Sequence, residues 1–309
     1  MKRKLSILLI VGLIAVFAVA CGNDNVTQDN GKYNVVATTT LVGDLVKQIG
    51  GDYVNIESLM GPGVDPHLYK ASAGDVTRMQ SADMIVYSGL HLEGKMGDIF
   101  DNLRASEKLI VSATDNIDED ELLDFITSPG SFDPHVWFDV KLWEEAAKNV
   151  EKGLSKLDKD NKDNYEKNLE NYLEKLDDLE DYIEERISEI PKEKRILITA
   201  HDAFQYFGKA YDFKVKGLQG ISTDAEAGTS DVRKLAELIV EKQIKAIFVE
   251  SSVPRKNIEA LQEAVKSKGF EVEIGGELYS DSTGDAGSDA ETYIGTFKAN
   301  IDTIVDALK

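Results

Sequence analysis

Residues Asp160–Ile190 read DNKDNYEKNLENYLEKLDDLEDYIEERISEI, and this run decides the fold. Within it Tyr165, Leu169, Tyr172, Leu176, Leu179, Ile183, Ile187 and Ile190 recur at spacings of four and three, the repeat of one face of an α-helix. Asp158 or Asp160 can cap its start. Pro191 lacks an amide hydrogen and restricts the residue before it, so the helix should end there. About thirty residues at ~1.5 Å each make a rod of ~45 Å, longer than an ordinary domain helix. A stripe this short, with no second one elsewhere, makes a poor coiled coil. A stiff spine joining two lobes fits better, because scarce histidines fall on both sides of it.

On the N-terminal side of this spine, apolar segments at Val35–Thr38, Val54–Met60, Met84–Tyr87 and Leu109–Val111 read as strands. They alternate with helical patterns at Leu41–Ile49, Asp75–Ala82 and Met96–Ala105, and a helix over Val140–Leu157 leads into the spine. After Pro191 the pattern restarts, with strands at Ile196–Thr199, Val215–Leu218, Ala246–Val249 and Val272–Ile274 and a closing helix over Thr292–Leu308. Such alternation predicts an α/β fold of two lobes, each a mainly parallel four-stranded sheet flanked by helices, joined by one long helix. The expected organisation is an N-terminal α/β lobe over 33–158, the connecting helix over 159–190 and a C-terminal α/β lobe over 191–309.

The first residues carry a separate message. Lys2, Arg3 and Lys4 precede an apolar run, Leu5–Ala20, that is short for a membrane span and reads as an export signal. It ends at Cys21, the chain's one cysteine. A single thiol cannot staple a fold, and its place directly after Ala18-Val19-Ala20 predicts cleavage and lipidation there. Residues 21–32 are polar and without periodicity, as a tether should be. The net charge of −21 over 309 residues, with no basic patch, excludes a nucleic-acid partner and favours cationic ligands.

The four histidines are His67, His91, His135 and His201. His67 follows the second strand across Gly61-Pro62-Gly63, His135 lies in the loop after the fourth strand, and His201 directly ends the fifth. Ligands of open parallel sheets bind beyond the carboxyl ends of strands, and three scarce imidazoles at three such ends point to one site. Asp281, after the eighth strand, stands in the same kind of position. The triplets Asp65-Pro66-His67 and Asp133-Pro134-His135 echo each other, and proline fixes the backbone before each imidazole. His91 has no such setting and reads as a structural or rim residue.

The motifs Gly61–Tyr69, Tyr87–Glu93, Asp133–Trp137, Ala200–Phe204, Phe248–Ser252 and Leu278–Asp281 occur in this order. Together they resemble the metal-binding receptor lipoproteins of bacterial manganese and zinc ABC importers, over nearly the whole chain after Ala20. The resemblance implies two α/β lobes on a long helix, with metal in the interlobe cleft held by His67, His135, His201 and Asp281. It implies a monomer held to the extracytoplasmic face of the cell membrane by its lipid anchor, with an ABC permease as partner and no enzymatic activity. Glu250, at the end of the seventh strand, is placed to orient a ligand imidazole.

For the metal, three nitrogens and a carboxylate suit Zn2+, which outcompetes Mn2+ in most nitrogen–oxygen sites. The likeness of Gly89–Met96 to manganese receptors, and a hard carboxylate that can bind through both oxygens, favour Mn2+, with Zn2+ the alternative. The rival class is a metallohydrolase, which would keep one metal position open for water. Four protein ligands would close the site. An adhesin or purely structural lipoprotein is a third class.

Overall fold

The computed structural model describes residues 31–125 and 130–309. The expected signal segment and Cys21 lie outside the described residues. Residues 33–309 form one compact unit.

The first lobe is built on β1 (Tyr33–Ala37), β2 (Val54–Ser58), β3 (Met84–Tyr87) and β4 (Leu109–Ser112), all parallel, in the order β2-β1-β3-β4. The strand order reverses between β1 and β3, which opens a crevice at their carboxyl ends. Helices α1 (Thr40–Gly50), α2 (Ala73–Ser81) and α3 (Gly97–Ala105) cover the sheet. The helix expected over Val140–Leu157 is α4, with those bounds, and Asp139 caps it through Lys141 N at 3.0 Å.

The spine is α5 (Lys162–Ile187), 26 residues long, preceded by a 3-10 turn at Lys159–Asn161. Neither aspartate expected at its start caps it directly; Asn161 is the cap residue, and Asp158 instead accepts from Asn161 Nδ2 and Tyr165 OH. The helix stops three residues before Ile190. Arg195 reaches back to the carbonyls of Ile187 and Ile190, both at 3.2 Å, and satisfies groups that a helix end leaves open. The apolar stripe is buried as its spacing requires, with Tyr165, Tyr172, Leu176, Leu179, Ile183 and Ile187 all packed inward. It lies against α1 and α4 on one side and α9 (Tyr293–Leu308) on the other.

The second lobe contains β5 (Ile196–Thr199), β6 (Lys214–Gly217), β7 (Ala246–Glu250) and β8 (Glu273–Leu278), with α6 (Gln205–Tyr211), α7 (Thr229–Lys242) and α8 (Lys256–Lys266). These strands bond as two parallel pairs, β5-β6 and β7-β8, where a single four-stranded ladder was expected; β5 and β7 lie side by side between them. The β7-β8 register slips between Ile247 and Phe248, which pair with Ile274 and Gly276. The residue skipped is Gly275, where a Cβ would come within 2.7 Å of Ala307 and 2.9 Å of the Phe248 ring. Glycine at this bulge lets β8 bend under α9.

One apolar core runs through both lobes and the spine. Phe138 of the first lobe packs on Phe204 of the second with ring centroids 4.1 Å apart, and Trp143 stacks on Tyr293 at 4.9 Å. Leu179 is fully buried at the centre of the stripe. Leu179→Ala should therefore cost about 2–5 kcal/mol, transfer and cavity together, read from the midpoint of urea unfolding. Exposed Glu174→Ala on the opposite face of α5 should change it by no more than about 0.5 kcal/mol.

Candidate metal centre

His67, His135, His201 and Asp281 meet in one buried pocket. Each reaches it from a loop at the carboxyl end of a strand: His67 after β2, His135 after β4, His201 after β5 and Asp281 after β8. The turn that carries His201 passes directly over the end of β6, where a Cβ on Gly217 would lie 2.4 Å from the Asp202 amide nitrogen. Only glycine leaves room for that crossing.

The Asp-Pro-His echo has a structural meaning. In each triplet the aspartate Oδ1 accepts the backbone N–H of the histidine, at 2.9 Å for Asp65–His67 and 3.0 Å for Asp133–His135, an Asx turn. Beyond that the two differ. Asp133 Oδ1 also bonds the His135 ring at Nδ1, 2.6 Å away. Asp65 instead takes the Thr223 hydroxyl at 2.6 Å, across to the second lobe. Glu250 holds His201 by both handles, accepting its backbone N–H at 2.8 Å and facing ring Nδ1 at 2.5 Å. With Nδ1 engaged, His135 and His201 each point Nε2 into the pocket.

Inside the pocket, His135 Nε2 stands 3.3 Å from His67 Nε2 and 3.4 Å from His201 Nε2, while Asp281 Oδ1 is 3.5 Å from both His135 and His201. Four donors bound at ~2.0–2.1 Å to a central tetrahedral ion would stand ~3.3–3.4 Å apart. Asp281 Oδ1 is buried without a hydrogen-bond partner, although its charge is what the imidazoles face. A buried carboxylate oxygen without a hydrogen-bond partner, ringed by three imidazole nitrogens, calls for a cation at the centre.

Burial pushes His67 down to about 3, with the Asp281 charge only partly opposing it, so His67 is neutral. Burial also presses on His135, but Asp133 and Asp281 more than reverse it and lift it to about 8. His201 follows the same pattern, with Glu250 and Asp281 holding it well above the usual imidazole range. Asp281 is raised by burial and lowered further by His201, His135 and His67, and the imidazoles win. It stays ionised.

The structure thus brings His67, His135, His201 and Asp281 together in one pocket, and it places Glu250 against the His201 ring. His91 is exposed in a left-handed turn, φ +64°, and takes no part. Asp133 and Ser252 were missed. The first had a visible signal, the repeated Asp-Pro-His triplet; Ser252, which bonds the second oxygen of Asp281 at 2.7 Å, lies 29 residues from its partner and had none.

A parallel α/β frame that encloses one buried set of three imidazoles and an ionised carboxylate has the donor set of a metal-binding protein. The model of the family "Zinc-uptake complex component A, periplasmic" (ZnuA) matches residues 35–307, and the chain belongs to that family. It is 46% identical over 307 residues to "Zinc-binding protein TroA" of Treponema pallidum, covering 99% of this chain and 98% of that protein. It is 47% identical over 299 residues to "Manganese-binding lipoprotein MntA" of Bacillus subtilis, covering 96% and 97%. It is 32% identical over 312 residues to "Manganese ABC transporter substrate-binding lipoprotein PsaA" of Streptococcus pneumoniae serotype 4, covering 99% of both. The solved structure of TroA superposes with a TM-score of 0.87 at 48% identity, over 90% of this chain and 99% of that one.

The protonation pattern gives a pH dependence with a definite sign. His135 carries a proton below about 8, and an incoming cation must displace it. Metal affinity should rise as pH is raised through 8, with proton release on binding measurable by calorimetry in buffers of different ionisation enthalpy. In the metal-free protein the same raised value acts oppositely: the stability His135 contributes is full below the unfolded imidazole's ~6.5 and is lost as pH rises through about 8.

Proposed function

We propose that this chain is the extracytoplasmic receptor of an ABC importer, capturing one divalent transition metal at His67, His135, His201 and Asp281 and delivering it to a membrane permease. The observation that carries the reading is the set of four convergent donor atoms, two of them on imidazoles oriented by buried carboxylates. Metal is cargo here, so the pocket needs no open position for a reacting water and no general base.

The ion delivered is Mn2+. Asp281 supplies the one hard anionic donor, and relatives at 47% and 32% identity are named for manganese. Zn2+ is the second reading, favoured by the near-tetrahedral spacing of the donors and by the relative named for zinc. By affinity order Zn2+ binds a nitrogen–oxygen site more tightly than Mn2+, so selectivity in the cell rests on supply and coordination number. Cys21, after the apolar run Leu5–Ala20, is the proposed lipid anchor, in line with relatives named as lipoproteins.

Each chain should bind one Mn2+ or Zn2+, and either metal should raise the melting temperature, by the equivalent of ~4 kcal/mol at a thousandfold excess over the dissociation constant. Asp281→Ala leaves three nitrogens and should weaken Mn2+ more than Zn2+ in paired titrations. Unchanged binding of both metals in Asp281→Ala and His67→Ala would move the site elsewhere. Cys21→Ser should release the protein from the membrane fraction; a variant that sediments like wild type would refute the anchor.

A further inference from the structure

We infer that Thr223, on the loop after β6, is a positioning residue for His67: it acts through Asp65 and sets how long the captured ion stays. This rests on the reading of the pocket given above and adds a residue of the second lobe that the four ligands do not require.

Among the described residues no carboxylate bonds Nδ1 of His67, unlike the rings of His135 and His201. Its place in the pocket is fixed through its main chain instead. Asp65 Oδ1 accepts the His67 N–H at 2.9 Å. The other oxygen of the same carboxylate accepts the Thr223 hydroxyl at 2.6 Å, and Thr223 is buried, 6% exposed. A carboxylate held at one oxygen can still turn about its side-chain bonds; held at both, it keeps Oδ1 aimed at the amide. The relay runs from Thr223 to Asp65 to His67, out of the second lobe and into the metal pocket.

The loop that carries Thr223 is itself anchored. Its base extends the β5-β6 ladder, through Leu218 N to Thr199 O at 3.0 Å and Gln219 N to Ala200 O at 2.9 Å. Gln219 Nε2 bonds Ala225 O across the loop at 3.2 Å. The residue after Thr223, Asp224, meets Lys95 of the first lobe at 2.9 Å. Two consecutive residues thus cross the seam, and Thr223 is the one bonded to a support of a metal ligand. The His67 loop has other ties to the second lobe: Gly63 N donates to Ser282 Oγ at 2.9 Å, and a Cβ on Gly63 would come within 3.3 Å of Ser251 O. Those ties hold the start of the loop, whereas the Thr223 bond is relayed to the His67 amide. A hydrogen bond to a charged acceptor is stronger than a neutral one. Loss of the hydroxyl therefore loosens His67 and leaves the other three ligands as they were.

The test follows metal release from the Mn2+-loaded and Zn2+-loaded proteins into excess chelator by stopped flow, beside the rate of metal association, in wild type, Thr223→Val and Thr223→Ser. Thr223→Val keeps the shape and removes the hydroxyl. It should release either ion about tenfold faster, the factor that ~1.4 kcal/mol represents, because His67 is a donor to both. Association should stay within about twofold, since changes at a formed contact fall mainly on departure. Thr223→Ser keeps the hydroxyl and should release like wild type. In an Asp65→Ala background Thr223→Val should add nothing, because residues in one hydrogen-bonded chain are not additive. Release from Thr223→Val at the wild-type rate overturns the inference. So does a Thr223→Ser variant as fast as Thr223→Val, the mark of a packing role, or an effect of Thr223→Val that persists without the Asp65 carboxylate. Failure of the underlying reading looks different: His67→Ala would then release both ions as wild type does.

Discussion

The pocket depends on two buried carboxylate–imidazole contacts, Asp133 with His135 and Glu250 with His201. A free imidazole can turn either nitrogen toward a cation. Once a carboxylate has taken Nδ1–H, Nε2 is the nitrogen left to face the cation, and it offers its lone pair when the cation displaces its proton. The same carboxylates keep buried imidazoles from losing all affinity for charge, against the pull of desolvation. Each carboxylate also accepts the backbone N–H of its own histidine. Ring and main chain are thereby fixed by a single neighbour.

His67 lacks this support. Among the described residues no carboxylate bonds its Nδ1, and its Asx-turn aspartate is spent on Thr223 instead. The pocket is consequently built in two tiers. Three donors, His135, His201 and Asp281, are preset by hydrogen bonds to their far sides. The fourth arrives on a loop that carries Gly63 at φ +70° and is tied to the second lobe by polar contacts. Preorganised donors limit the ordering cost of capture.

Much of this was legible in the residues. The 3.6-residue stripe located the spine to within a few positions, and the strand-end rule singled out His67, His135, His201 and Asp281 before any contact was known. What the sequence hid was of two kinds. The division of β5 to β8 into two ladders, and the bulge at Gly275 within the second of them, are tertiary facts with no local mark. The spine's ends were shifted by side-chain contacts that periodicity does not show: Arg195, eight residues beyond the last helical residue, bonds the carbonyls of Ile187 and Ile190. Asp133 stands in a repeated Asp-Pro-His triplet, where the proline and histidine carry the stronger local signal. Ser252 could be found only in three dimensions, because a hydroxyl becomes informative through the oxygen it touches.

The seam between the lobes bears on how cargo enters. Deep in the seam the contacts are aromatic and continuous: Phe138 lies on Phe204 and near Phe297, Trp137 bonds Ser280 O, and Tyr293 OH bonds Trp137 O at 2.7 Å. The spine packs on helices of both lobes along its length. Separating the lobes as rigid bodies would expose that core, at a cost that grows with apolar area. Near His67 the seam is of another kind. Gly63 N donates to Ser282 Oγ at 2.9 Å, Thr223 bonds Asp65, and the exposed Lys95–Asp224 pair meets at 2.9 Å. Contacts of this sort can be exchanged for water at little net cost. Local opening draws on exchangeable contacts of this kind before it draws on packed core, and around the pocket they cluster at the loop that bears His67.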